Sequence, residues 1–311
     1  MPKADDSSLD PEDRRFVEAR AKRLLDRANA WGRFPTQVDD IMEAAELKVA
    51  ASNIFDPAAI MAFVQQKGAQ AANSVKSALA KILGLYDGQE KTVHIDGTVT
   101  ASKQTFLKLH EAGHHELPTH RSMFRFFQDS DETLHPDVAD QFEREANNFA
   151  RFVLFQGGTY GAMAADEKLE IKSAIKLAKT FGASIYASTR EYARTNKRAC
   201  IAYILEPMEY APPDGYRARV RRIEASPAFA LRFGIPTDAV INAKHVLGKL
   251  LPIGRKMTKP TSFRITDRNG DNQEVVGEAF CTPYNVLILI YVAKDLPGVV
   301  GPIDLILPTP K

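Results

Sequence analysis

The stretch Thr105-Phe106-Leu107-Lys108-Leu109-His110-Glu111-Ala112-Gly113-His114-His115 places His-Glu-x-x-His at the end of an amphipathic run. On a helix, residues four apart are offset by only about 40° around the axis. His110 and His114 therefore project their imidazoles from one face, one turn apart, at the spacing a zinc ion needs. Glu111 is rotated by about 100° from His110, so it reaches a water held at the metal without itself binding the metal. Zinc lowers the pKa of such a water to about 7, and a nearby carboxylate can take its proton and later protonate a leaving amine. The pattern predicts His110 and His114 as metal ligands and Glu111 as the catalytic general base. Ser102 reads as the N-cap, and Phe106, His110 and Gly113 fall on one side of the helix that follows.

A catalytic zinc site takes a third protein ligand and keeps its fourth position open to water. The next strongly helical segment, Pro136 to Phe155, is the best source. Phe142, Ala146, Phe149 and Val153 mark its buried stripe at helical spacing, with Arg144 and Arg151 facing away. Glu143 lies on one edge of the stripe beside Ala150 and Leu154; Glu145 lies on the other beside Phe152. Geometry alone does not choose between them. Glu143 is preferred, with Glu145 as the alternate, because Asn147 sits four residues further on and can hold the far nitrogen of a metal-bound histidine. His115, His120 and His135 are weaker candidates: His115 points about 100° away from His114, and the other two occupy loop or end positions. His94 falls on an expected strand, outside any ligand spacing with the motif.

These residues carry a family resemblance. The run Lys91-Thr92-Val93-His94-Ile95-Asp96, then Phe106-x-x-x-His110-Glu111-x-Gly113-His114, then Glu143-Arg144-Glu145-Ala146-Asn147-Asn148-Phe149-Ala150 resembles the ImmA/IrrE family of zinc metallopeptidases. The resemblance covers Leu83 to Gln156 well and the rest loosely. By position it implies His110 and His114 as the histidine ligands, Glu111 as the catalytic acid/base and Glu143 as the downstream glutamate ligand. It also implies a cytoplasmic protease that cuts DNA-binding repressors of the helix-turn-helix type, switching on stress-response or mobile-element genes. One departure stands out. The family's downstream helix often runs into a Met-Pro pair, whereas this one continues Leu154-Phe155-Gln156-Gly157-Gly158.

Composition sets the frame. With 311 residues, 44% hydrophobic and 26% charged, the chain reads as an ordinary soluble globular protein with room for two cores. Its net charge of +2 points neither toward nucleic acid nor away from it. Two cysteines, Cys200 and Cys281, are too few for a disulfide framework and fit no zinc spacing, which favours a reducing compartment. No apolar run approaches the roughly 20 residues of a spanning helix, and the N-terminus lacks an apolar signal region.

Taken in order, Asp10-Pro11-Glu12-Asp13 begins a helix to about Ala30, with Phe16, Ala19, Leu24 and Ala28 on its apolar side. Its many arginines alternate with acids and read as a solvated face. Further helices are expected over Thr36 to Lys48 and Asp56 to Leu83. Gly84 to Gly97 reads as a hairpin, with Asp87-Gly88 at its turn. Lys168 to Lys179 and Ile185 to Arg194 are helical around a turn at Thr180 to Ser184. This pair resembles a helix-turn-helix in which Ser184 caps a would-be recognition helix bearing Arg190, Arg194 and Lys197; packing is favoured over DNA docking. Strands follow at Ala199 to Leu205, Phe263 to Thr266, Glu274 to Phe280 and Val286 to Val292, with a helix expected over Pro236 to Leu251. Arg217, Arg219 and Arg221 alternate on one strand face. Asp267 to Asp271 mimics a calcium loop, but without a bidentate Glu at loop position twelve it reads as a hairpin turn.

The expected fold class is α+β: a zincin-like metallopeptidase domain over 1–162, a helix-turn-helix-like connector over 163–198 and an α+β domain over 199–311 whose position resembles a GAF-like sensor. The expected activity is zinc-dependent cleavage of a partner protein, most plausibly a transcriptional repressor. Two rival readings are a DNA-binding regulator with a structural metal site and a sensor that binds a partner without cutting it.

Overall fold

Asp10 precedes the first helix, α1 (Pro11–Arg27), with proline at the first helical position and Glu12 and Asp13 in the first turn, where acids complement the helix dipole. The computed structural model describes residues 7–50, 84–87, 91–95, 97–122, 136–212 and 215–293. The helix expected over 56–83 and the candidate ligand His135 lie outside these. The buried face of α1 is Val17, Ala21, Leu24 and Leu25, rotated from the expected one. Phe16 is 43% exposed and is covered instead by the Arg20 guanidinium, 5.4 Å from its ring centre.

Helix α2 (Val38–Ala44) stops short of the expected Lys48. Glu46 turns the chain with φ of 56°, and Lys48–Val49 become strand β1. There the amides of Lys48 and Ala50 donate to the carbonyls of Lys91 and Val93, 2.9 Å each, so strand pairing replaces the last helical turn. Strands β2 (Gly84–Asp87) and β3 (Thr92–Ile95) pair antiparallel, Gly84 opposite Ile95 and Asp87 opposite Thr92. With β1 parallel to β3, the sheet order is β1-β3-β2.

Helix α3 (Ala101–Glu116) carries the His-Glu-x-x-His motif. Its N-cap is Thr100 rather than Ser102, because the Thr100 carbonyl already accepts from the amides of Lys103 and Gln104. Helix α4 (Pro136–Leu154) packs along α3 on one side and α1 on the other. Phe142, Ala146, Phe149 and Val153 are buried as the helical spacing requires. Because α1 covers a second face, Arg151 does not simply face away: it pairs with Glu18 of α1 at 3.5 Å. Gly113 permits the close approach of α3 to α4, since a Cβ there would lie 3.2 Å from Phe149 Cβ and 3.3 Å from Ala146 Cα.

Helix α4 ends in a paired closure: the amides of Gln156 and Gly157 donate to the carbonyls of Val153 and Phe152, the pattern that satisfies a helix's last acceptors. Two successive residues are left-handed there, Gln156 with φ of 50° and Gly157 with φ of 58°; for Gln156, which carries a side chain, that conformation costs about 1 kcal/mol or more. Its fully buried side chain holds the loop before α2: Gly32 N donates to its Oε1 at 2.7 Å, and its Nε2 donates to Arg33 O at 3.0 Å and Thr36 Oγ1 at 3.2 Å.

Helices α5 (Thr159–Asp166), α6 (Ile171–Phe181) and α7 (Ile185–Thr195) follow. Ser184 caps α7 as expected, accepting from Ala187 N at 3.1 Å. The chain forms two compact units, one of Met1–Asp166 with Ala174–Ser188 and the other of Glu167–Ser173 with Thr189–Lys311. In the first, Phe155 packs edge to face on Tyr160 and on Phe181, and Tyr160 and Phe181 meet at a tilt of 47°.

The second unit is built on an antiparallel sheet. Its strands are β4 (Cys200–Leu205), β5 (Glu209–Ala211), β6 (Gly215–Ala225), β7 (Val240–Asn242), β8 (Thr261–Thr266), β9 (Asn272–Cys281) and β10 (Val286–Val292), in the order β5-β6-β4-β10-β9-β8 with β7 beside β6. Helix α8 (Pro227–Phe233), capped by Ser226 Oγ, and the residues around Leu247–Leu251 cover one face through Phe229, Leu247 and Leu250. On the other face Glu224 accepts from Arg190 and Arg194, and Glu278 accepts from Ile171 N at 2.8 Å. Two of the three basic residues of the would-be recognition helix are thus committed to packing. The helix expected over 236–251 is replaced by β7 and a single 3-10 turn, Gly248–Leu250. Asn242 Oδ1 accepts from the amides of Lys244 and His245, and Asp238 holds Tyr203 and His245; such local bonds compete with helix formation. Asp267 likewise accepts from Asn269 N and Asp271 N at the β8–β9 turn, where Gly270 has φ of 89°.

Gly113→Val puts atoms where α4 already stands. It should destabilise the first unit by about 1–3 kcal/mol, measurable by urea unfolding; an unchanged midpoint would show that the helices can separate at no cost.

Candidate metal centre

The motif's spacing on α3 and one turn of α4 bring His110, His114 and Glu143 together, each offering a ligand atom within 4.8 Å of the others. The two Nε2 atoms lie 3.2 Å apart. Glu143 Oε2 is 3.3 Å from His110 Nε2, and Oε1 is 3.5 Å from His114 Nε2. The alternate carboxylate, Glu145, points elsewhere: its Oε2 is 2.9 Å from His120 Nε2. His115 is buried on α3 outside this group, and His94 lies on β3, also outside it.

The hydrogen bonds fix what the converging atoms are. His110 Nδ1 is 3.1 Å from Asn147 Oδ1, which can only accept, so Nδ1 carries the proton and a neutral ring has its lone pair at Nε2. His114 Nδ1 is engaged by His120 Nδ1 at 2.9 Å. Both far nitrogens are therefore occupied, and two imidazole Nε2 atoms and a carboxylate face one another. Acceptors at such distances repel unless a cation, or a proton, lies between them. Nitrogen and carboxylate donors in this number are the set a borderline cation such as zinc takes. The residues thus fit a divalent metal.

Burial and charge act on each group in turn. For His114 burial dominates and lowers the ring to about 4. Burial pulls His110 the same way, but its hydrogen bond to Glu143 and the Glu111 and Glu143 charges outweigh it and hold the ring above its usual value. Burial would raise Glu143; hydrogen bonds to the two histidines win, holding that carboxyl well below the usual range. Glu111 is 7% exposed. Burial, reinforced by the Glu143 charge and opposed by His110, pushes its carboxyl up to about 7. Glu143 keeps a side chain 53% exposed, so the group is reachable from solvent.

Sequence spacing placed Asn147 correctly but not His120 or Glu145, each of which was weighed as a ligand. The signal that could have separated them is Pro118. Proline disfavours helical backbone at the preceding residue, and Leu117 is extended, with ψ of 113°. The chain turns there, and a short helix over 118–122 carries His120 back behind His114.

Two results follow from this geometry. Glu143→Ala should abolish binding of a divalent metal, whereas Glu145→Ala should retain the metal at lower affinity; metal analysis showing loss only in the second would reverse the assignment. Glu111 sits above its ordinary carboxyl value, so the stability tied to its protonated form is present in acid and lost as pH rises through about 7. In chelator-treated protein, Glu111→Gln should therefore stabilise at pH 8 relative to pH 5, by on the order of 1–3 kcal/mol in urea unfolding; equal effects at both pH values would refute the shift.

No protein-family model matches the chain, and no curated protein matches it. Among solved structures it is similar to a Mycobacterium tuberculosis transcriptional regulator, at 11% identity and a TM-score of 0.52, over 94% of this chain and 82% of that one. At that identity the likeness is one of fold, a mixed α+β architecture of helices and an antiparallel sheet.

Proposed function

We propose that this chain is a zinc-dependent endopeptidase of the ImmA/IrrE type that cuts a partner protein, with a helix-turn-helix repressor as the expected substrate. The observation that carries the reading is the convergence of His110, His114 and Glu143, with buried Glu111 on the same turn of α3. Among the described residues the group holds three ligands, one of them a half-exposed carboxylate, which is the donor count of a catalytic zinc rather than a closed structural one. A zincin-like first unit is supported by the motif helix packed beside a small sheet and a glutamate-bearing helix. A GAF-like second unit is supported by an antiparallel sheet whose first and last strands, β4 and β10, lie side by side at its centre. Cys200 and Cys281, which form no disulfide with each other, suit a cytoplasmic setting.

Zinc, when bound here, supplies Lewis acidity and a source of hydroxide near neutral pH. The chain's own residues do the rest. Asn147 and His120 orient the two imidazoles. The Glu111 carboxylate accepts a proton from the attacking water and returns it to the nitrogen of the leaving amine, a transfer suited to an acid poised near neutrality.

A second reading has one observation in its favour: the similar solved structure bears the name of a transcriptional regulator. On that reading the metal is structural and the partner is DNA. Glu111→Gln separates the two. The variant should keep its zinc and lose cleavage of a purified candidate repressor by about 10²–10⁴-fold. Full activity in the variant, with DNA affinity that falls steeply with salt, would sink the hydrolase reading and support the regulator.

A further inference from the structure

We infer that His120 and Glu145 are positioning residues that set the tautomer and orientation of His114, so that its Nε2 lone pair faces the metal-binding group. The inference rests on the reading of His110, His114 and Glu143 as that group.

The argument is one of donors and acceptors. Gln141 Nε2, with two hydrogens, donates to Asp13 Oδ2 of α1 at 3.0 Å and to Glu145 Oε1 at 2.9 Å. The other oxygen of Glu145 lies 2.9 Å from His120 Nε2. An ionised carboxylate only accepts, so His120 Nε2 carries a proton and the neutral ring has its lone pair at Nδ1. That lone pair, 2.9 Å from His114 Nδ1, requires a proton there. His114 Nε2 is then left as an acceptor, 3.2 Å from His110 Nε2. Each bond dictates the direction of the next, from α1 to the metal-facing atom.

The intermediate ring is held firmly. His120 is 0% exposed, so water cannot stand in for it. It stacks on Phe142 with centres 3.9 Å apart and planes 20° from parallel. Without the chain, His114 would distribute between tautomers, and one of them points an N–H at the cation. Hydrogen-bond partners of ligating histidines of this kind are typically worth about 10–100-fold in metal affinity.

The test separates orientation from packing. His120→Phe keeps a flat ring against Phe142 and removes both nitrogens; His120→Asn restores an acceptor near the Nδ1 position. By chelator competition on the full chain, zinc affinity should fall about 10–100-fold in His120→Phe and return to near the wild-type value in His120→Asn, with the visible spectrum of the cobalt-loaded protein following the same order. Unchanged affinity in His120→Phe, or equal losses in both variants, would overturn the inference. Nitrogen-15 NMR of the metal-free wild type needs no variant to fold: it should show His114 protonated at Nδ1 and not at Nε2. A proton on His114 Nε2 would overturn the inference too. If the wild type binds no zinc, the hydrolase reading fails, and the NMR result still decides the relay.

Discussion

A methyl group at Gly113 would press on the backbone of α4, and that close approach is the contact on which the chemistry depends. Histidines four apart on one helix can present two nitrogens, but the third donor must come from elsewhere, and a glutamate side chain is short. Only helices packed nearly backbone to backbone let Glu143 reach Nε2 atoms on its neighbour. The same approach sets Asn147 against His110, whereas Glu145 meets His120 through the turn at Leu117 that follows the helix.

The centre is at odds with the rest of its core. Burial disfavours charge on His110, His114 and Glu111, yet the converging atoms require positive charge between them. A protein interior resolves such conflicts by pairing, protonation or metal. Here Glu143 pairs with a ring only when that ring carries a proton at Nε2; with both rings neutral, two ring nitrogens and a carboxylate meet as acceptors. A cation there would bind the folded state alone, and its binding energy would appear as folding stability.

Much of this was legible in the chain. The motif, the stripe on α4 and the strands β4, β8, β9 and β10 of the second unit follow from periodicity, because each repeats a local spacing; the choice of Glu143 over Glu145 comes from Asn147 four residues on. What was not legible depends either on residues distant in sequence or on local side-chain bonds and turns that periodicity does not describe. The buried face of α1 is turned because α4 packs where Val17 and Ala21 lie. The segment 236–251 has helical spacing, yet Asn242 and Asp238 offer its backbone and its histidine better partners. Gln156 gives no sign in sequence that it will occupy a left-handed position; its reason is a loop more than a hundred residues earlier. His120 and Glu145 were visible as candidates, but which of several donors faces the cation is set by a turn at Leu117 that spacing does not describe.

The division of the chain has its own consequence. Residues 174–188 complete the first unit, while 167–173 and 189–195 belong to the second, so the backbone passes between units three times across two short helices. Tyr160 needs Ser188, to whose carbonyl it donates, and Ile171 needs Glu278. A fragment ending anywhere between these crossings leaves at least one core short of its own residues. The two units therefore cannot be exchanged as modules by recombination at a single junction; evolution would have to carry the helical pair along with both, which ties the inheritance of one unit to that of the other.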